Sequence, residues 1–209
     1  NPTKKKMAPP IPNRPVGTLL FGHPRPNLII ECFLDLCCPF SNKMFKVLFE
    51  EVMPNYNTSN VDMLFQNVPQ PWHAQSSYMH EVALAVKLVD ESKFYPACQA
   101  IFAKQEDFFD SNCMDKTRMQ IYDELIAIVA SVGVDPALVK AQVELKGDGN
   151  AGNECTLLMK FAVKYHRVRS IHVTPTVLLN GIEAPDVGSG WTAEQWKEKI
   201  DSVIGTPVV

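Results

Sequence analysis

The chain has 209 residues, 46% of them hydrophobic and 21% charged, with a formal net charge of −3. This is the composition of an ordinary globular domain, long enough to bury a sizeable core without disulfide staples. The slight acidity gives no electrostatic footprint for nucleic acid, and the apolar runs fall well short of the roughly 20 residues that cross a bilayer.

The chain opens on Asn1, and Met7-Ala8-Pro9-Pro10 reads as a natural start, so the six residues before it carry no functional argument. No charged-then-apolar leader is visible, which makes the cytoplasm the default expectation. A leader cleaved ahead of residue 1 would make the protein secreted or organellar.

Residues 1–27 hold seven prolines and read as an extended, Pro-rich extension in which only 18–21 suits a short first strand. Residues 28–34 are almost continuously apolar, as expected of a strand covered on both faces in the middle of a sheet. After Asp35 the spacing of Met44, Phe45, Leu48, Phe49 and Val52 predicts a helix over 39–53, with Pro39 in its first turn and Pro54 ending it.

A strand over 61–68 comes next, punctuated by Pro69 and Pro71. Helical spacing then predicts helices over 75–90, 95–108, 116–132, 136–144 and 154–166, with an internal loop at Gly147-Asp148-Gly149-Asn150. The tail returns to strands at 176–179 and 182–184 around an Asn180-Gly181 turn. It ends in a helix over 192–203 capped by Thr192. A mixed sheet flanked by helices follows, an α/β arrangement.

Cys38-Pro39-Phe40-Ser41 sits where the buried strand ends and a helix begins, so the Cys38 sulfur is expected to face the unpaired N–H groups and positive dipole of a helix start. Such a site stabilises a thiolate and favours nucleophilic chemistry. The alternative is a small buried hydrophobe at a turn. Far downstream, Val173-Thr174-Pro175-Thr176 puts a proline at the entrance of a strand, where a cis Thr174-Pro175 peptide is one geometry that accommodates it.

The order of these motifs resembles DsbA-like proteins of the thioredoxin superfamily. Asp35-Leu36-Cys37-Cys38-Pro39-Phe40-Ser41 follows a strand, a helical insertion comes after it, and Thr174-Pro175-Thr176 precedes a hairpin. The similarity covers residues 28–204 and looks closest to a eukaryotic, chiefly fungal, group with a Cys-Pro-Phe-Ser motif and a Pro-Trp-His segment. It implies a thioredoxin fold with a mixed central sheet and a DsbA-like helical insertion at about residues 73–167. It further implies that Cys38 attacks disulfides while the Thr174-Pro175 loop holds an extended partner beside it. Pro39, Phe40, Trp72, His73 and Val173 are then the expected substrate-facing residues.

The chain departs from the family pattern in two places. Ser41 stands where a dithiol enzyme has its resolving cysteine, and a serine cannot close the internal disulfide; a monothiol still forms mixed disulfides that an external thiol releases. Cys32 stands where the family often has a buried acid, and the adjacent Glu31 is expected on the other face of the sheet. Asp35 matches the family aspartate and is read first as the cap of the turn. Cys37 is an accessory thiol, since neighbouring cysteines close only a strained ring.

Trp72 and His73 form either a substrate wall with a polar handle or a rigid loop whose tryptophan closes the core of the insertion, and the second is the default. Lys164, His166, Arg167, Arg169 and His172 read as a solvated helix end, with a glutathione carboxylate site as the alternative. Cys98, Cys113 and Cys155 show no metal-ligand spacing, so no metal site is expected. Asn57-Thr58-Ser59 formally matches a glycosylation triplet.

The leading functional reading is a monothiol thiol-disulfide oxidoreductase with no bound cofactor. Glutathione is its expected co-substrate, and protein thiols or disulfides are its expected partners. A redox-inactive binding or assembly module is one alternative. A kappa-like glutathione transferase is another, although that class starts its motif with serine where this chain has Cys38.

Overall fold

The computed structural model describes residues 11–205, so the expected start at Met7 and the six residues before it lie outside the described residues. Five strands form one mixed sheet: β1 (Thr18–Leu19), β2 (Leu28–Leu34), β3 (Val61–Asn67), β4 (Thr176–Leu179) and β5 (Ile182–Glu183), in the order β1-β3-β2-β4-β5. β2 runs parallel to β3 and antiparallel to β4, which makes it the central strand. Its near-continuous apolar sequence follows from that place, because helices cover both of its faces.

β1 is shorter than expected for a specific reason. The Leu20 N–H still donates to the Met63 carbonyl at 2.9 Å, but the Asp62 carboxylate accepts the N–H groups of Leu20, Phe21 and His23 at 3.1, 3.0 and 3.0 Å and draws the backbone away from β3 beyond that point.

Helix α1 (Pro39–Lys46) follows β2 and widens into a π-helical stretch over Val47–Val52 before a 3-10 turn at Met53–Asn55, where Pro54 brings no N–H to continue it. Between β3 and β4 the chain forms α2 (Ser76–Val89), α3 (Phe94–Ala103), α4 (Asp110–Cys113), α5 (Arg118–Ala130), α6 (Pro136–Val143) and α7 (Thr156–Val168). Helix α8 (Ala193–Ile204) closes the fold, and both α5 and α8 begin with a capping box, from Thr117 to Gln120 and from Thr192 to Gln195. Among the described residues no helix is long and apolar enough to cross a membrane.

The helix predicted over 95–108 is broken. The backbone leaves helical geometry at Lys104 and resumes as a 3-10 turn over Gln105–Phe108. Gln105 accounts for the break: its buried carboxamide donates to the Leu36 carbonyl at 2.8 Å and accepts from Asn42 at 3.3 Å, bending the insertion onto the end of β2 and the start of α1.

Alternation along β2 sorts its side chains. Ile30, Cys32 and Leu34 join the large core shared with α1, α8 and most of the insertion, whereas Phe33 packs on the other side with Val68, Ile171, Leu178 and Tyr165. In the large core, the Phe45 ring lies 5.1 to 6.1 Å from those of Phe49, Phe65, Tyr95 and Phe102. Aromatic pairs at such spacings add about 0.5–1.5 kcal/mol each to area burial, so this cluster anchors α1 firmly against α3 and the sheet.

Candidate active site

Three segments converge where β2 gives way to α1: residues 35–41, the loop 69–76 after β3, and residues 172–176 before β4. Cys38 is the N-cap residue of α1, with extended backbone, and Pro39 takes the first helical position, where its missing N–H costs nothing. The Cys38 N–H donates to the Asp35 carbonyl at 3.0 Å, which fixes the turn. The thiol sits at the positive end of the helix, donates to the Thr174 carbonyl at 3.5 Å and is 7% exposed. The Thr174–Pro175 peptide is cis.

Asp35 is wholly buried and organises the surroundings. Its Oδ1 accepts the Cys37 N–H at 3.0 Å, which is the capping role expected for it, and the Ser76 hydroxyl at 2.5 Å; its Oδ2 pairs with His73 Nδ1 at 2.8 Å. His80 Nε2 lies 3.5 Å from Oδ1. Burial alone would raise this carboxyl, but the His80 ring, the Ser76 hydroxyl and the Cys37 N–H outweigh it and hold Asp35 below the ordinary carboxylate value. One acid thus joins the turn before Cys38, the loop at His73 and the start of α2.

Ser41 is buried one helical turn after Cys38, and its Oγ accepts the Asp35 N–H at 3.2 Å, so it braces the end of β2. Cys37 points the other way, into the protein. Its sulfur accepts from Gln75 at 3.2 Å and lies 3.7 Å from the Phe108 carbonyl. Burial, with Asp35 nearby, pushes its thiol up to about 12. Cys32 is buried within the core and burial raises its thiol strongly. Glu31 lies on the opposite face of β2, where it accepts from Gln66 at 2.8 Å.

Each of the three converging segments carries an exposed apolar side chain: Phe40 is 61% exposed, Trp72 62% and Val173 55%. The default reading of Trp72 as a core plug is therefore overturned. Pro69 and Pro71 precede it in the loop, while His73 is tied to Asp35 and Gln70 donates to the His172 carbonyl at 3.1 Å. The basic run is the solvated helix end expected of it at Lys164, Arg167, Arg169 and His172, which are exposed, and departs from that reading at His166. His166 is buried with Nδ1 3.1 Å from the Ile171 carbonyl, and the Arg169 guanidinium stacks 3.9 Å over Tyr165.

Ser76, His80 and Gln75 are the residues that sequence reasoning missed. Ser76 and His80 stand one turn apart on the buried face of an apolar helix, a polar pair that signals a buried partner. Ser76 serves Asp35, while His80 accepts the Leu36 N–H at 3.2 Å beside that carboxylate and pairs with Asn67 at 2.9 Å, and nothing in the spacing points to these partners.

The thioredoxin family profile matches residues 15–202 of the chain. Among solved structures the chain is similar to a Pseudomonas syringae protein described as a protein-disulfide isomerase, at 23% identity and a TM-score of 0.69, over 88% of this chain and 97% of that one. It is also similar to alpha-DsbA1 of Wolbachia pipientis, at 15% identity and a TM-score of 0.67, over 94% and 92% of the two chains. A thioredoxin-like oxidoreductase of Silicibacter pomeroyi gives 16% identity and a TM-score of 0.62, over 93% and 96%. Likeness at these identities establishes the fold and leaves the chemistry to the site. No curated protein matches the sequence.

Proposed function

The chain belongs to the thioredoxin family, and from that membership we propose that it is a monothiol thiol-disulfide oxidoreductase with Cys38 as nucleophile and glutathione as the external thiol. The observation that carries this reading is the Cys38 sulfur at the N-cap of α1, 3.5 Å from the Thr174 carbonyl, where the three segments bearing the exposed Phe40, Trp72 and Val173 converge. A helix start favours the anionic sulfur. Those apolar side chains suit the flanks of an extended protein segment, and the backbone of Val173 and Thr174 runs beside the sulfur for that segment to follow.

The exchange needs no bound cofactor. Cys38 thiolate attacks the glutathione sulfur of a protein–glutathione disulfide, the protein sulfur leaves with the electron pair, and Cys38 is left disulfide-bonded to glutathione. A second glutathione thiolate then attacks that adduct, forming glutathione disulfide and freeing Cys38. Ser41 at the resolving position favours this external release, since no sulfur stands one turn beyond Cys38 to close an internal ring.

The test is turnover of a glutathionylated protein in the presence of reduced glutathione. Release of the protein thiol by the wild type and its loss in Cys38→Ser are expected. Equal rates for the two proteins would instead support a thioredoxin-fold binding module.

A further inference from the structure

We propose that His73, aligned by Asp35, is the acid–base of exchange at Cys38: its Nε2 protonates the sulfur that leaves when Cys38 attacks a disulfide, and takes a proton from the thiol that later frees Cys38. This rests on the exchange reading above and adds to it a residue and a proton path.

Geometry carries the inference. Asp35 has Oδ1 occupied by the Cys37 N–H and the Ser76 hydroxyl, which leaves Oδ2 to His73 Nδ1 at 2.8 Å. A carboxylate only accepts, so Nδ1 carries the proton and Nε2 is the nitrogen left to gain or lose one. The same Asp35 accepts the Cys38 N–H through its carbonyl, so one buried residue sets both the cysteine and the imidazole.

The His73 side chain keeps 23% of its surface. With Cys37, Pro39, Phe109 and Asp110 it lines a cleft of about 340 Å³ beside the start of α1. The charged and polar groups facing His73 are Asp35 beneath it, Asp110 across the cleft and Gln75, whose amide is engaged by the Phe108 carbonyl at 2.6 Å and by Asp110 at 3.1 Å. His80 meets Asp35 from inside the protein and is wholly buried, so it has no route to a substrate.

The proton count closes over a cycle. In the first half, the Cys38–sulfur bond forms, the substrate S–S bond breaks, and the departing sulfur receives the electron pair and the Nε2 proton. In the second half, the incoming thiol gives its proton to Nε2, its sulfur attacks the adduct, and Cys38 departs as the thiolate. No oxidant or reductant beyond the two thiols and the disulfide is needed.

The dependence on leaving group tests the proposal. The glutathione sulfur is basic and benefits from a proton as it leaves, whereas a nitrobenzoate thiolate leaves without one. His73→Asn keeps an N–H for Asp35 but has no atom at Nε2. The rate of adduct formation at Cys38 is to be measured for the wild type and this variant with glutathione disulfide and with bis(nitrobenzoate) disulfide, with Cys38→Ser as background. The expected result is a loss on the order of a hundredfold with glutathione disulfide, at the low end of what a placed acid–base contributes, and an unchanged rate with the aromatic disulfide. Equal slowing with both reagents, or no slowing with either, would overturn the proposal. A wild-type Cys38 inert to both reagents would overturn the exchange reading itself.

Discussion

The sulfur of Cys38 lies 3.5 Å from the carbonyl oxygen of Thr174, across the join between the start of α1 and the entrance to β4. A sequence separation of 136 residues is closed there by antiparallel pairing of β2 with β4, which sets Phe33 opposite Thr176 and so brings the two segments to the same end of the sheet. The Cys38 thiol and the backbone of Thr174 are thus held together by the most buried part of the fold.

Truncation of the exposed apolar side chains should separate binding from chemistry. Phe40, Trp72 and Val173 are exposed, so alanine at these positions should change stability by no more than about 0.5 kcal/mol, measured by urea unfolding. Exchange of Cys38 with a folded protein's mixed disulfide should slow several-fold in the triple variant, while exchange with glutathione disulfide keeps its rate.

Restoring a second thiol should change the class of exchange. Ser41→Cys places a sulfur one turn beyond Cys38, and the predicted oxidised form carries an internal disulfide, read as the loss of two hydrogens in the intact mass. Loss of the hydrogen bond from the Asp35 N–H should cost about 0.5–1.5 kcal/mol in the reduced state. Persistence of the glutathione adduct in this variant would count against the monothiol account.

Asp35 ties acid sensitivity to the site. Its carboxyl lies below its unfolded value of about 3.9, so the folded state gains stability from it above that pH and loses the gain as pH falls through the folded value. Asp35→Asn offers one oxygen where the carboxylate offers two, setting an NH2 against one of the groups it served. A loss of about 1.5–3 kcal/mol at neutral pH is predicted, with a smaller fall in stability than the wild type below pH 4, by urea titration at each pH.

The two adjacent cysteines should part company under alkylation. Cys37 is buried and its thiol is pushed up to about 12, so at pH 8 it should resist iodoacetamide in the folded protein and react only in denaturant. Peptide mass mapping reads this directly, and labelling of Cys37 in the native state would refute its buried role.

Much of this site was legible in the sequence, and the remainder depended on contacts that no periodicity encodes. The strand from Leu28, the helix start at Pro39 and the strand at Thr176 are local patterns, and together they place Cys38 and Thr174 at one end of the sheet. The cradle of Asp35 was not readable, because His73, Ser76 and His80 reach it from 38 to 45 residues away, after the insertion has folded over the sheet. Trp72 was misread because a large aromatic in a proline-stiffened loop looks like core, whereas its neighbour His73 is the residue anchored inward, to Asp35, and the indole stays exposed. Gln105 broke a helix whose apolar spacing ran on to Phe108, since capturing the Leu36 carbonyl is a tertiary demand.

The most direct test of the account is peptide mapping of the native protein after incubation with glutathione disulfide. A glutathione adduct on Cys38, removed by reduced glutathione and absent from Cys32, Cys37, Cys98 and Cys155, is the predicted result. A native Cys38 that remains unmodified while the protein stays folded would contradict it.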